Sequence, residues 1–155
     1  MTEFTFGRCR LLVDVEATRA YYAAHPLPWI TCQCDGCRNF AQAVKDLPPA
    51  VRDFFGVLGL DPEKPGEVMF YQGTQRTLSG GGWYHLVGQV LEGASRPGDC
   101  EAFPAGWYEL AEGFSVAFKT ACDLLPDDFP RPCFQLEFEH VLPWVLEEPN
   151  PYIYE

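Results

Sequence analysis

Cys133-Phe134-Gln135-Leu136-Glu137-Phe138-Glu139-His140-Val141-Leu142 decides the fold class. Phe134, Leu136, Phe138 and Leu142 fall on one side of a two-residue period, and Gln135, Glu137 and Glu139 fall on the other. Successive side chains of a strand point to opposite faces, so this alternation is what an antiparallel sheet with one wet face requires. His140 interrupts the apolar row near its end.

The same period extends upstream. Val68 to Gln72 and Trp83 to Leu91 read as strands joined by a glycine-rich loop, and Trp107 to Leu110 and Phe114 to Lys119 read as a second pair. Before residue 60 the pattern is helical. Arg10 to Val15 is a short strand or extended lead-in, after which Asp14 can cap a helix through Glu16 to Ala24. His25-Pro26-Leu27-Pro28 ends that helix, because proline cannot continue its hydrogen-bond ladder. Phe40, Ala43, Val44 and Leu47 then recur at helical spacing, Pro48-Pro49 breaks the run, and Val51, Phe54, Phe55 and Leu58 resume it up to a Gly59 cap. The expectation is an α+β fold, an antiparallel sheet with N-terminal helices packed on one face. It forms a single domain over 1–155, with a cysteine-bearing helical part at 1–60, a sheet part at 67–146 and an aromatic tail at 149–155.

Composition narrows the function classes. With 47% hydrophobic and 15% aromatic residues, the chain of 155 can bury a sizeable core. Its 22 acids against 11 bases give a net charge of −11 without a basic patch, which argues against nucleic acid and anionic membrane surfaces. A basic partner protein or a homodimer fits that surface. No apolar window is long enough to span a bilayer, and Met1 to Arg10 lacks the pattern of a secretory signal, so the expected location is cytoplasmic.

In that setting seven cysteines read as thiols or metal ligands before disulfides. Three crowd into Thr31-Cys32-Gln33-Cys34-Asp35-Gly36-Cys37-Arg38-Asn39-Phe40, while Cys9, Cys100, Cys122 and Cys133 are dispersed. Convergence of the three thiols needs a tight turn, which Asp35-Gly36 can supply through positive φ at glycine. Cys37 would then sit at a helix N-terminus, where free N–H groups stabilise a thiolate. Soft sulfur donors favour zinc, with a fourth ligand from Cys122, then His25, then Cys9. Reduced cysteines packed under a helix, or a redox pair of Cys34 and Cys37, are the competing readings.

The CxCxxCR stretch of Cys32, Cys34, Cys37 and Arg38 resembles the metal-binding segment of the glutathione-dependent formaldehyde-activating enzymes. The chain lacks that family's earlier CxC and later CxxCG, so neither its fold nor its activity is carried over. A broader resemblance, from Cys32 onward, is to an uncharacterised family of bacterial hypothetical proteins. It rests on CxCxxCxNF, on GGWYHLVG at Gly81 to Gly88, and on FPRPCFQLEFEHVLPWVL at Phe129 to Leu146. That resemblance implies no catalytic residues.

Other stretches offer less. Ser79-Gly80-Gly81-Gly82 lacks the lysine and the following helix of a phosphate-binding loop and reads as a hairpin loop. His85 shares a strand face with Trp83, Val87 and Gln89, and Glu137 and Glu139 share another; each reads as structural or solvated before catalytic. Asp123 to Asp128 reads as an exposed loop. The tail from Pro149 to Glu155 is expected to dock on its own domain. The sequence thus points to a non-catalytic binding module with a structural zinc site. A small metal- or thiol-dependent enzyme using the same cluster is the alternative.

Overall fold

The computed structural model describes residues 1–26, 29–94 and 107–154. The elements run β1 (Thr2–Phe6), β2 (Cys9–Val13), α1 (Val15–Ala23), α2 (Asp35–Ala43), a 3₁₀ turn (Val44–Asp46), α3 (Pro49–Leu58), β3 (Glu67–Gly73), β4 (Thr77–Glu92), β5 (Tyr108–Ala111), β6 (Phe114–Lys119) and β7 (Cys133–Pro143). This is the expected α+β class. No helix among the described residues is long and apolar enough to cross a membrane.

The sheet is organised around β4. Along one edge β4 pairs antiparallel with β7, from Thr77 opposite Pro143 to Val87 opposite Cys133, and β6 and β5 follow outward. Its other edge is divided. β3 takes Leu78 to Trp83, β2 takes Gly88 to Glu92, and β1 lies beyond β2.

Helix α1 completes the stretch of edge between β3 and β2. Backbone groups of alternate residues point to the same edge of a strand. Trp83 O accepts from Gly66 N at 2.7 Å. Two residues on, the Tyr22 hydroxyl donates to His85 O at 2.6 Å and accepts from His85 N at 3.1 Å. After two more, Thr18 Oγ1 accepts from Val87 N at 3.1 Å, while Val87 O accepts from Asp14 N at 2.8 Å. Side chains of α1 therefore finish the ladder that no strand reaches, which is why Thr18 and Tyr22 are buried with their hydroxyls satisfied.

Register fixes the core face. Tyr84, Leu136 and Phe118 lie in one row across β4, β7 and β6, and Gly80, His140 and Phe114 lie in another. Helices α2 and α3 bring rings to this face: Phe40 is 6.2 Å from Phe138, and Phe55 is 4.9 Å from Tyr84. The sheet also curls. Phe6 on β1 and Tyr108 on β5, at opposite ends of the strand order, approach to 5.9 Å, with Phe54 of α3 4.8 Å from Phe6.

Three expectations are corrected. Gly80 to Gly82 are not in a hairpin loop but inside β4. Neighbouring backbone excludes side chains there: a Cβ would stand 2.3 Å from Met69 O at Gly80 and 2.0 Å from Glu67 O at Gly82. The reversal lies earlier, where Thr74 N bonds Thr77 O at 2.9 Å. The amino-terminal residues form β1, paired with β2 from Thr2–Val13 to Phe6–Cys9. Finally, the second face of β7 is dry at one end. Gln135 is fully buried, bonded to Asp123 on the segment between β6 and β7, and Phe129 of that segment is buried with it.

Candidate metal centre

Helix α2 positions the cysteine cluster. Its N-cap is Cys34, in extended conformation, whose Sγ accepts from Cys37 N at 3.4 Å. The thiol occupies the place that a serine or aspartate oxygen takes in other helices and satisfies one of the open N–H groups of the first turn. Cys32 lies two residues before the cap, and Cys37 is the third residue of α2 and buried. The Sγ atoms of Cys32, Cys34 and Cys37 lie within 4.8 Å of one another. In a tetrahedral site with Zn–S bonds of about 2.3 Å, sulfurs stand about 3.8 Å apart, so the cluster needs to contract by no more than about 1 Å to hold zinc. The donor set suits a soft divalent ion.

The three thiols are not equivalent. Cys32 and Cys34 are exposed and Cys37 is buried. Partial burial acts to raise the Cys34 thiol, but hydrogen bonds from Cys37 N, the Cys32 and Cys37 thiols and the Tyr152 hydroxyl outweigh it and leave Cys34 below the ordinary thiol range. Cys37 moves the other way: burial raises it, and donating to Cys34 and Cys32 raises it further. The expectation that Cys37 carries the stabilised thiolate is therefore corrected. The helix terminus acts on Cys34, the residue at the cap, rather than on the cysteine inside the first turn.

Gly36 also has a different role from the one expected. It is absent from the glycines with positive φ and belongs to the first turn of α2. Its lack of a side chain admits neighbours: a Cβ would meet Phe70 Cδ2 at 2.4 Å and the Tyr152 hydroxyl at 2.8 Å. Close approach, rather than turning, is the reason for glycine here.

The rest of the motif ties the cluster to the chain's C-terminal segment. Arg38 pairs with Glu148 at 2.9 Å and with Asp35 at 3.2 Å. Asn39 is buried, donates to Pro143 O at 3.1 Å and accepts from Val145 N at 2.7 Å. Asn150 Nδ2 donates to Thr74 O and Thr77 O at 2.9 and 3.0 Å, its Oδ1 accepts from Tyr152 N, and Gly73 N bonds Tyr152 O. Asn150 and Tyr152 thus fasten the tail to its own domain, and Tyr152 reaches α2 beside the cluster. Its hydroxyl lies against the first turn of α2, 2.8 Å from where a Cβ on Gly36 would stand. The sequence reading assigned Tyr152 no role at the cluster. The signal was present in the short aromatic tail, but its target was not.

The expected fourth ligands lie elsewhere. Cys122 is not gathered with the three thiols; its Sγ is 3.8 Å from Cys133 Sγ. The reason is topological. Cys133 pairs with Val87, on the sheet face opposite the row of Tyr84 and Leu136, whereas Phe70 beside Gly36 pairs with Gly80 on the core face. Burial and the neighbouring Cys133 push the Cys122 thiol up to about 12. His25 has both ring nitrogens engaged, Nδ1 with Tyr21 O at 2.8 Å and Nε2 with Asp128 at 3.4 Å. Cys9 donates to Gly93 O at 3.2 Å. Cys100 lies outside the described residues.

A cleft of about 220 Å³ adjoins the cluster, lined by Trp29, Ile30, Cys32, Cys37, Glu67 and Val68 among others. Neither His85 nor His140 lines it. His85 is buried with Nε2 3.1 Å from Gln135 Oε1, and burial holds it below the ordinary imidazole range. His140 is stacked among Phe40, Phe114 and Phe138, neither ring nitrogen has a hydrogen-bond partner, and burial lowers it to about 4. Glu137 pairs with Lys119 at 3.1 Å, and burial together with Glu137 raises Glu139. These carboxylates are half-buried rather than freely solvated.

Comparison of the chain with protein-family models, curated proteins and solved structures finds no match. The functional reading therefore rests on the site alone.

Proposed function

We propose that this domain is a non-catalytic binding module whose fold is pinned by a zinc ion on Cys32, Cys34 and Cys37. The observation that carries the reading is the gathering of three thiols within 4.8 Å at the cap of α2. Metal binding there would fasten the helix to the extended chain before it, and through Asn39 and Arg38 the same helix holds the C-terminal segment. Structural zinc contributes folding free energy directly. The surface left to a partner is acidic, with a net charge of −11 over the chain, which suits a basic protein or a second copy with a complementary patch.

The enzyme alternative draws support from the cleft beside Cys32 and Cys37. No histidine lines that cleft to serve as a base, and His85 and His140 are enclosed in the core. The module reading is the better supported of the two.

Elemental mass spectrometry on untagged protein purified without added metal tests the proposal, with Cys34→Ser as comparison. About one zinc per chain, lost in the variant together with thermal stability, supports it. Zinc lost while stability is retained favours the enzyme alternative in its metal-dependent form, and no metal in the wild type overturns the zinc reading.

A further inference from the structure

We propose that Tyr152 is the fourth ligand of the metal centre, its phenol oxygen completing a site of three sulfurs and one oxygen. This deepens the zinc reading and rests on it.

Three observations carry the inference. First, the phenol oxygen already lies against the first turn of α2, where a Cβ on Gly36, between Cys34 and Cys37 in sequence, would stand 2.8 Å from it. Among the described residues, no histidine, carboxylate or further cysteine joins the three thiols. Second, the tail is fixed on both sides of Tyr152 by bonds that do nothing else at the cluster: Asn150 to Thr74 and Thr77, Tyr152 N to Asn150, and Gly73 to Tyr152 O. The ring itself packs 5.8 Å from Phe70. Such outer anchors are what set a ligand's position at a metal. Third, Gly36 leaves the space through which the hydroxyl approaches, since a Cβ there would lie 2.8 Å from it.

The chemistry is consistent with zinc, which accepts oxygen beside sulfur at bond lengths of about 2.0 to 2.2 Å. On binding, the phenol oxygen and the three sulfurs each exchange a proton for a bond to the metal. The phenol proton and the protons of the thiols pass to solvent, and no electrons are transferred. The phenolate lies at the N-terminal end of α2, where the helix dipole favours negative charge. A closed site of this kind joins α2 to the last residues of the chain through the metal.

The test uses the full chain and Zn²⁺ alone. Affinity is read by competition with a chromogenic chelator, proton release by calorimetry in buffers of different ionisation enthalpy, and phenolate formation by near-ultraviolet difference absorption. Wild type is compared with Tyr152→Phe, which keeps the ring against Phe70, and with Tyr154→Phe, which alters a neighbouring exposed phenol. The expected result is that Tyr152→Phe binds at least about tenfold more weakly. It also releases about one proton fewer per ion and loses the phenolate band, while Tyr154→Phe matches wild type. Unchanged affinity, proton count and absorption in Tyr152→Phe overturn the proposal. Weaker binding with an unchanged proton count and no phenolate band overturns it too, leaving Tyr152 as a hydrogen-bond donor to Cys34. Failure of the wild type to take up zinc overturns both this proposal and the reading beneath it.

Discussion

Asn39 Oδ1 accepts the Val145 amide at 2.7 Å, joining α2 to the segment that leaves β7 across 106 positions of sequence. The same side chain donates to Pro143 O at 3.1 Å, so one buried amide satisfies an N–H and a C=O that the sheet no longer pairs. Asn39→Ala leaves both without partners. The expected loss is about 1 to 3 kcal/mol, since Asn39 is buried but Pro143 and Val145 are exposed residues whose freed groups water can reach. Urea unfolding measures it. A loss below about 0.5 kcal/mol would show that the two elements hold together without Asn39.

Gly36→Ala places a methyl 2.4 Å from Phe70 Cδ2 and 2.8 Å from the Tyr152 hydroxyl. Helix propensity alone would favour alanine by about 1 kcal/mol. Overpacking opposes it with about 1 to 3 kcal/mol, and the ring of Phe70 is held between α2 and the tail, so the clash wins. The expected outcome is a less stable protein with weaker zinc uptake, checked by thermal melts with and without metal. A more stable variant would mean that the contact at Gly36 is loose.

His140 gives the protein an acid-sensitive core. Burial lowers its folded pKa to about 4 from an ordinary 6.5. The unfolded chain therefore binds the proton first, and stability present above pH 6.5 is lost as pH falls towards 4. A shift of that size corresponds to about 3 kcal/mol over the window. In His140→Phe the ring stays among Phe40, Phe114 and Phe138, and the loss between pH 6.5 and 4 shrinks by about that amount. Urea titrations across this range check it. Identical pH slopes in both proteins would place the acid sensitivity elsewhere.

Gln135 is a joint between the sheet and the segment that covers its second face. It accepts from Asp123 N at 2.7 Å, donates to Asp123 Oδ2 at 3.0 Å and lies 3.1 Å from His85 Nε2. Gln135→Leu retains the volume but strands these groups, and about 1 to 3 kcal/mol of stability is expected to go. Faster amide exchange at Asp123 and Phe129 than elsewhere in the variant would show that the covering segment has loosened. Uniform exchange changes would count against this local role.

The sheet was legible because β7 and β6 bury one face along their length, and a period of two appears wherever one face is dry. Helices α1 and α3 were legible from Asp14, Pro49 and Gly59, whose conformational demands are local. The glycines of β4 misled because their reason is not local. They face backbone and rings contributed by β3 and β7, which no short window contains. The buried state of Gln135 has the same origin, since only the packed segment between β6 and β7 makes it dry.

At the site, the spacing of Cys32, Cys34 and Cys37 was enough to foresee their convergence. The fourth position was not, because it depends on which chain segment the sheet topology carries to the cap of α2. Cys122 was favoured by its place just past the strand ending at Lys119 and excluded by the face on which it lies. Tyr152 comes from a residue type rarely counted as a zinc ligand, 115 positions beyond Cys37 by their numbers.

X-ray absorption at the zinc edge of the as-purified protein tests the central claim most directly, because it reads the atoms bound to the metal. The account predicts three sulfur scatterers at about 2.3 Å and one oxygen at about 2.0 to 2.2 Å, with one sulfur fewer in Cys34→Ser. A shell dominated by nitrogen and oxygen, or protein carrying no metal, would contradict it.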